Sequence, residues 1–348
     1  MLYRVIDAHE LPGLVQAFMR DYEVIAPVRS GKSFAFEAVS SFDDIVLDYP
    51  TTLTSLKKYY LPPRETLFEY DMADGVTDYR MEVRPRVLFG AHACDINAIN
   101  ALNLVFEDPR YPDPYYEAHK KATMIVGISC MPGDSCFCHL LDAGEVRSGY
   151  DLFLADIGGR YLVSIGSVEG ADILEAACDP REATDEDRRA FRDYTRRRQR
   201  AFNEEIPSVQ EIPMLMDAFH SDDFWEELGS RCLNCTACSS VCPTCYCFDI
   251  RDVLDPSGET GRRERVWDAC TSPQFALVTG GHNFRPGTRE RVRHRMYHKL
   301  NGFNAKHGRY LCVGCGRCVK ACKADISPIE VLKFFEQKGI EDGDRDAD

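Results

Sequence analysis

Four short runs in the first half of the chain are dense in β-branched and apolar residues: Glu23 to Val28, Arg86 to Phe89, Thr123 to Ile128 and Tyr161 to Ile165. Around them, apolar side chains recur at helical spacing, as in Leu14 to Phe18 and Ile96 to Val105. Strands that alternate with helices predict an α/β domain over residues 1–215, a mainly parallel or mixed sheet covered by helices. The pattern changes over residues 179–205, DPREATDEDRRAFRDYTRRRQRAFNEE, where charge fills most positions. So thin an apolar stripe reads as an exposed helical connector. The domain boundary then falls near residue 215.

Residues 216–340 read as a smaller, all-α-type module. A helix is expected to start at Ser221, with Asp222 and Asp223 in its first turn and Phe224, Trp225 and Leu228 facing inward. Ser327-Pro328-Ile329-Glu330 has the arrangement of a capping box with proline at the first helical position. The helix that follows should bury Val331, Leu332, Phe334 and Phe335. The acidic end, EDGDRDAD at 341–348, is too polar to pack and is expected to be disordered.

Chemistry enters with the cysteines, of which the chain has 16. Cys232, Cys235, Cys238 and Cys242 follow the pattern C-x2-C-x2-C-x3-C, and Cys312, Cys315, Cys318 and Cys322 repeat it. This is the spacing that wraps a [4Fe–4S] cube, with the fourth cysteine of each run crossing to the other cube. One cluster would take Cys232, Cys235, Cys238 and Cys322, and the other Cys312, Cys315, Cys318 and Cys242. Each cube would join segments far apart in sequence, so the module should need iron to fold. Zinc uses cysteines in pairs and has no use for a third one three residues on, which argues against it. Pro243 follows Cys242 as in bacterial ferredoxin runs, and Gly314 and Gly316 flank Cys315, where backbone passes close to sulfide. Lys323 stands where the second run would ordinarily carry proline. Together these features predict a two-[4Fe–4S] ferredoxin-like module with a long insertion between the runs.

Cys94 and Cys130 follow two of the predicted strands, and Cys136 and Cys138 lie just beyond in the loop MPGDSCFCH. If those strands are parallel neighbours, the cysteines meet at their carboxyl ends, where α/β sheets place ligands. The four are candidate ligands of a third cluster, the alternative being reduced core thiols. Cys245 and Cys247, in CPTCYCF, are candidate additional ligands or spare thiols, Cys270 has no evident role, and Cys178 reads as packing. His92 and His139 stand beside these cysteines, where a hydrogen-bonded structural histidine is the ordinary case.

A net charge of −14 disfavours nucleic acid and anionic membranes as partners. Residues 285–299, RPGTRERVRHRMYHK, run against that trend with Arg285, Arg289, Arg291, Arg293, Arg295 and Lys299. Most should lie on a solvated helix face, and any near the cubes would raise their reduction potential. No apolar stretch approaches the roughly 20 residues of a membrane span. The start, MLYRVIDAHELPGLVQAF, lacks the pattern of a secretory leader. A soluble protein of the reducing cytoplasm is expected. Neither G-x-G-x-x-G nor G-x4-G-K-[ST] is present, so no nucleotide or flavin is expected in this chain. With no nucleophile paired to a base either, the chain is expected to carry electrons without catalytic residues of its own.

GAHACDINAI, GISCMPGDSCFC, RCLNCTACSSVCPTCYCFDIRD, GHNFRPGTRERVRHRMYHK and GRYLCVGCGRCVKAC together resemble a family of dicluster iron–sulfur subunits. It includes the beta subunit of sulfhydrogenases and the corresponding iron–sulfur subunit of anaerobic sulfite reductase, and the similarity runs from about Tyr3 to Phe335. The resemblance implies an electron relay in a soluble complex. A separate flavin subunit would exchange electrons with NAD(P)H, and another would carry hydrogenase, sulfite reductase or heterodisulfide chemistry. Ala91-His92-Ala93 departs from the arginine and proline usual before Cys94. Two other classes fit the same cysteines: a redox-sensing iron–sulfur binding protein, and a self-sufficient reductase with an open iron in the first domain.

Overall fold

The computed structural model describes residues 2–81, 83–206 and 209–345. Its larger sheet has seven strands: β1 (Leu2–Asp7), β2 (Glu23–Ser30), β3 (Ser33–Ala38), β6 (Arg86–Ala91), β7 (Thr123–Ile128), β8 (Leu152–Asp156) and β9 (Arg160–Ile165), in the order β1-β9-β8-β7-β6-β2-β3. The four central strands β8, β7, β6 and β2 are parallel, and the edges close antiparallel. This is the mixed sheet expected from sequence.

Strand β6 shows why its sequence is a continuous apolar run. Val87 and Phe89 face a layer containing Leu11, Leu14, Phe18 and Leu174, whereas Leu88 faces Ile96, Ile99 and Leu102 of the helix Ala93–Phe106. A strand buried on both faces has no polar side to alternate with. Helix Ala93–Phe106 then carries the chain from the carboxyl end of β6 back toward β7, so both strands end on the same edge of the sheet.

A second, fully antiparallel sheet was not legible in the sequence. It has the order β10-β11-β4-β5, from β4 (Arg64–Asp71), β5 (Gly75–Tyr79), β10 (Phe248–Leu254) and β11 (Thr260–Trp267). The long insertion between the cysteine runs is therefore partly a hairpin. It pairs with strands from the first 80 residues, so backbone hydrogen bonds cross the expected boundary near 215. Arg265 fastens the join, 2.6 Å from Glu65 and 2.5 Å from Asp113.

The remainder of the second region is helical. Phe224–Arg231, Thr288–Tyr297 and Pro328–Arg345 pack around Trp225, Met296, Leu332 and Phe335, all deeply buried. Phe334 is half-buried and stacks on Phe224 with centroids 3.9 Å apart. The first of these helices begins later than expected, with Asp223 as its N-cap and Asp222 accepting from the Phe224 N–H. The predicted capping box gives way to a simple cap. Ser327 Oγ accepts from the Ile329 N–H, while Glu330 turns to Arg231. The last helix continues to Arg345 rather than ending before the acidic tail, and 346–348 lie outside the described residues. Among the described residues no helix is long and apolar enough to cross a membrane.

Candidate iron–sulfur sites

The two cysteine runs have the same backbone. In the first, Asn234 and Thr236 adopt left-handed conformations with φ of 52° and 60°; in the second, Gly314 and Gly316 do so at 60° and 74°. In both, the residue two after the first cysteine turns its N–H onto that cysteine's sulfur: Asn234 to Cys232, and Gly314 to Cys312. Alternating left- and right-handed residues point successive N–H groups inward and form an anion-binding nest. Each run thus wraps a concave wall of thiols and N–H donors.

The walls are completed across the chain. One hollow is lined by Cys232, Cys235, Cys238 and Cys322, and the other by Cys242, Cys312 and Cys315. Cys318 and Arg295 stand in both walls, between the two spaces. Cys322 of the second run therefore lines the first hollow and Cys242 of the first run lines the second. Among the described residues no group of three or more histidine, cysteine, aspartate or glutamate side chains is set for a single metal ion. Sulfurs spread around a hollow suit a larger group than zinc.

Electrostatics supply an independent test of fit. Lys57, Arg295 and Lys299 are 2%, 4% and 4% exposed. Their polar contacts are with oxygens of Cys245, Cys238 and Thr244 and with Cys245 Sγ, and among the described residues none is paired with a carboxylate. A buried charge without a counter-charge is strongly destabilising. Burial opposes the charge of Arg295, but the sulfurs of Cys238, Cys245, Cys242 and Cys318 more than offset it and raise its pKa. Lys299 behaves alike, with Cys242 and Cys245 as its leading partners. Burial pushes the Cys312 thiol up to about 12, so by itself it would stay neutral. An anionic iron–sulfur group with deprotonated thiolates would give Arg295 and Lys299 their missing partner, whereas Lys57 lines neither hollow and burial lowers its pKa. Of the basic stretch, only Arg295 and Lys299 take this role. Arg291 is buried on the carbonyls of Arg285 and Pro286, while Arg289 and Arg293 reach the carbonyls of Ser221 and His220.

The third set lies at one edge of the sheet. β6 and β7 are parallel neighbours; beyond burial, Cys130 and Cys136 raise the Cys138 thiol, and Asp95, Cys315 and Cys138 raise that of Cys94. Burial raises the Cys130 thiol to about 11 and the Cys138 thiol to about 12. The charged connector, whose helix is Asp185–Arg200, contributes here beyond joining the regions. Tyr194 and Arg198 both donate to the Cys130 carbonyl, at 2.9 and 3.0 Å, and Arg198 Nη2 lies 3.9 Å from Cys138 Sγ. Sequence reasoning missed these two, which look like any other residues of a polar helix. His92 is 1% exposed, stacks on Tyr49 at 4.0 Å, and among the described residues has no hydrogen-bond partner on either ring nitrogen. Burial holds its pKa down at about 3, so it is a neutral imidazole. His139 instead bonds the Glu204 carbonyl at 2.7 Å.

This group abuts the second hollow. A Cβ added to Gly314 would come within 2.5 Å of the Cys138 nitrogen, and one added to Gly316 within 2.4 Å of the Ser135 oxygen. The glycines thus admit the loop 135–138 of the first region. Phe137 N–H bonds the Gly314 carbonyl at 2.8 Å, and Cys136 Sγ is 4.0 Å from the Cys315 carbonyl oxygen. Arg317, between Cys315 and Cys318, forms a buried ion pair with Asp95 at 2.9 Å, next to Cys94. Cys245, Cys247 and Cys270 line neither hollow. Cys178 packs against the core of the larger sheet.

Comparison with known proteins gives the family. Residues 231–326 match the 4Fe-4S dicluster domain family. Over 334 residues, 95% of this chain and 98% of the relative, the sequence is 36% identical to sulfhydrogenase 2 subunit beta of Pyrococcus furiosus. No solved structure matches significantly. With a dicluster domain and a near full-length relative at this identity, the chain belongs to the family of sulfhydrogenase beta subunits.

Proposed function

We propose that this chain is the electron-transfer subunit of a cytoplasmic, multi-subunit oxidoreductase of the hydrogenase type. It would pass electrons between a flavin subunit that uses NAD(P)H and a catalytic subunit of hydrogenase, sulfite reductase or heterodisulfide reductase type. The observation that carries this reading is the pair of adjoining hollows, each walled by cysteines from both runs. When bound, [4Fe–4S] groups accept and release single electrons without bond making in a substrate. Cys232, Cys235, Cys238 and Cys322 would hold one, and Cys312, Cys315, Cys318 and Cys242 the other. Cys94, Cys130, Cys136 and Cys138 would hold a third.

The chain's own contribution is placement and potential. Cys235 is exposed, which brings the first site to the surface where a partner docks. Cys315 is 7% exposed and lies against the third group, so the three sites form a series from the sheet edge to the surface. Arg295 and Lys299 favour the more negative, reduced state and so raise the potentials. Cys235→Ala or Cys315→Ala should abolish turnover of the intact complex with its physiological donor while artificial donors still drive the catalytic subunit. Unchanged physiological turnover in both variants would refute the relay.

A reductase acting by itself has one observation in its favour, a hollow lined by Cys130, Tyr150, Phe153, Tyr194 and Arg198 at the sheet edge. Substrate turnover by the isolated chain would support it over the relay.

A further inference from the structure

Residues 272–284, SPQFALVTGGHNF, carry no lysine, arginine, aspartate or glutamate in a chain that is 28% charged. They close into a small, well-tied loop. Leu277 and Asn283 face each other in an antiparallel bridge, the Val278 N–H donates to the His282 carbonyl at 2.9 Å, and Asn283 Nδ2 donates to the Pro273 carbonyl at 2.7 Å. Gly280 and Gly281 form the tip, with φ of 90° and 81°. These bonds hold the side chains of the loop in place, yet Leu277, Val278 and Phe284 are 46%, 45% and 66% exposed.

Both ends of the loop are fixed to the wall of the first hollow. Thr271, immediately before it, lines that hollow. Just after it, the carbonyls of Arg285 and Pro286 accept from Arg291 Nη1 at 3.0 and 2.7 Å. Arg291 Nη2 also donates to Asn234 Oδ1 at 3.2 Å, and Asn234 Nδ2 donates to Thr288 Oγ1 at 3.3 Å. Asn234 stands between Leu233, which is 64% exposed, and the exposed Cys235. The loop and Leu233 thus belong to one surface around the first site. Single exposed apolar residues are ordinary, but four held beside one opening mark an interaction surface.

Charge says what fits there. Among the described residues no carboxylate lines the first hollow, whose charged lining residues are the buried Arg295 and the exposed Lys323. Lys323 has no carboxylate partner among the described residues. Arg285, at the foot of the loop, has its Nε buried without a hydrogen-bond partner and its guanidinium carbon 6.0 Å from the centre of the Phe275 ring. An acidic protein is repelled by the net charge of −14 but meets uncompensated cations at this opening, which would orient it on approach.

We propose that the loop 272–284, with Leu233, is the seat of a partner subunit whose docking face is an apolar recess bordered by carboxylates. On the relay reading this subunit exchanges electrons with the first site, whereas the contact itself stands without that reading. The apolar side chains would shut water out of the approach to Cys235, and Lys323 and Arg285 would set the register.

The test compares the intact complex, purified anaerobically, with the iron-loaded full chain alone. Hydroxyl-radical labelling read by peptide mass spectrometry should modify Leu233, Leu277 and Phe284 several times more slowly in the complex. Phe284→Asp should weaken association with the remaining subunits about 30-fold, with iron content and the paramagnetic spectrum of the first site unchanged. Lys323→Glu should weaken association at low salt and less so at high salt. A benzophenone side chain placed at position 284 should join, on irradiation, to a carboxylate-flanked segment of another subunit. Equal labelling of the loop in the two samples would overturn the proposal. So would joining to a second copy of this chain, or undiminished association of Phe284→Asp. Protection of the loop together with unchanged physiological turnover in Cys235→Ala would uphold the seat and count against the relay.

Discussion

The two cysteine runs share spacing, left-handed backbone positions and N–H donation to the leading sulfur, yet they live in opposite surroundings. The first has Asn234 and Thr236 at its left-handed positions and exposes Cys235. The second has Gly314 and Gly316 there, buries Cys315, and lies under the loop 135–138 of the first region. The common spacing therefore goes with a common conformation, and docking dictates the residue type. A side chain is tolerated at the surface site at some cost in strain, but at the inner site nothing larger than hydrogen fits.

The strongest way to break this comparison is through the crossed cysteines. Cys322→Ala lies in the second run but should strip iron from the site of the first, and Cys242→Ala should do the reverse. Iron counting with spectroscopy of the remaining cube checks it, and loss of the like-numbered site would contradict the crossing. Next comes the buried ion pair that seats the inner run. Asp95→Ala leaves Arg317 charged and unpaired in a site where the two side chains are 0% and 1% exposed, and should cost about 3–5 kcal/mol. Denaturant unfolding of the iron-loaded chain measures it.

An exchange at equivalent positions sharpens the comparison further. Gly316→Ala should destabilise by about 1–3 kcal/mol through overlap with Ser135 and a positive φ. Thr236→Gly, at the matching place in the first run, should be neutral or stabilise by about 1 kcal/mol. Equal effects at both positions would mean that the glycines do not serve docking. The smallest expected change is electronic. Lys299→Met removes a buried cation beside Cys242 and Cys312. It should lower the potential of the inner cube by roughly 60 mV, a tenfold change in a one-electron equilibrium, as read by redox titration.

Legibility in the sequence followed the range of the interactions. The repeated cysteine spacing is local, so the dicluster domain was readable from Cys232 to Cys242 and Cys312 to Cys322 as they stand. β6 and β7 were readable because both their faces are buried. β10 and β11 were not, since FDIRDVL and TGRRERVW are studded with charge and owe their pairing to strands nearly 200 residues earlier. Lys57 gave no local sign of burial, because its partner, the Cys245 carbonyl, is 188 positions away. Tyr194 and Arg198 were hidden in the same way, inside a helix whose composition speaks only of solvent. The helix start moved from Ser221 to Asp223 because Asp222, and not Ser221, bonds the Phe224 N–H.

The most direct test of the whole account is the low-temperature paramagnetic resonance spectrum of the anaerobically purified chain after dithionite reduction, taken with elemental analysis. Two adjoining cubes predict a complex signal from magnetically interacting [4Fe–4S] centres, with iron and acid-labile sulfide in equal amounts. A silent spectrum, or zinc in place of iron, would contradict it.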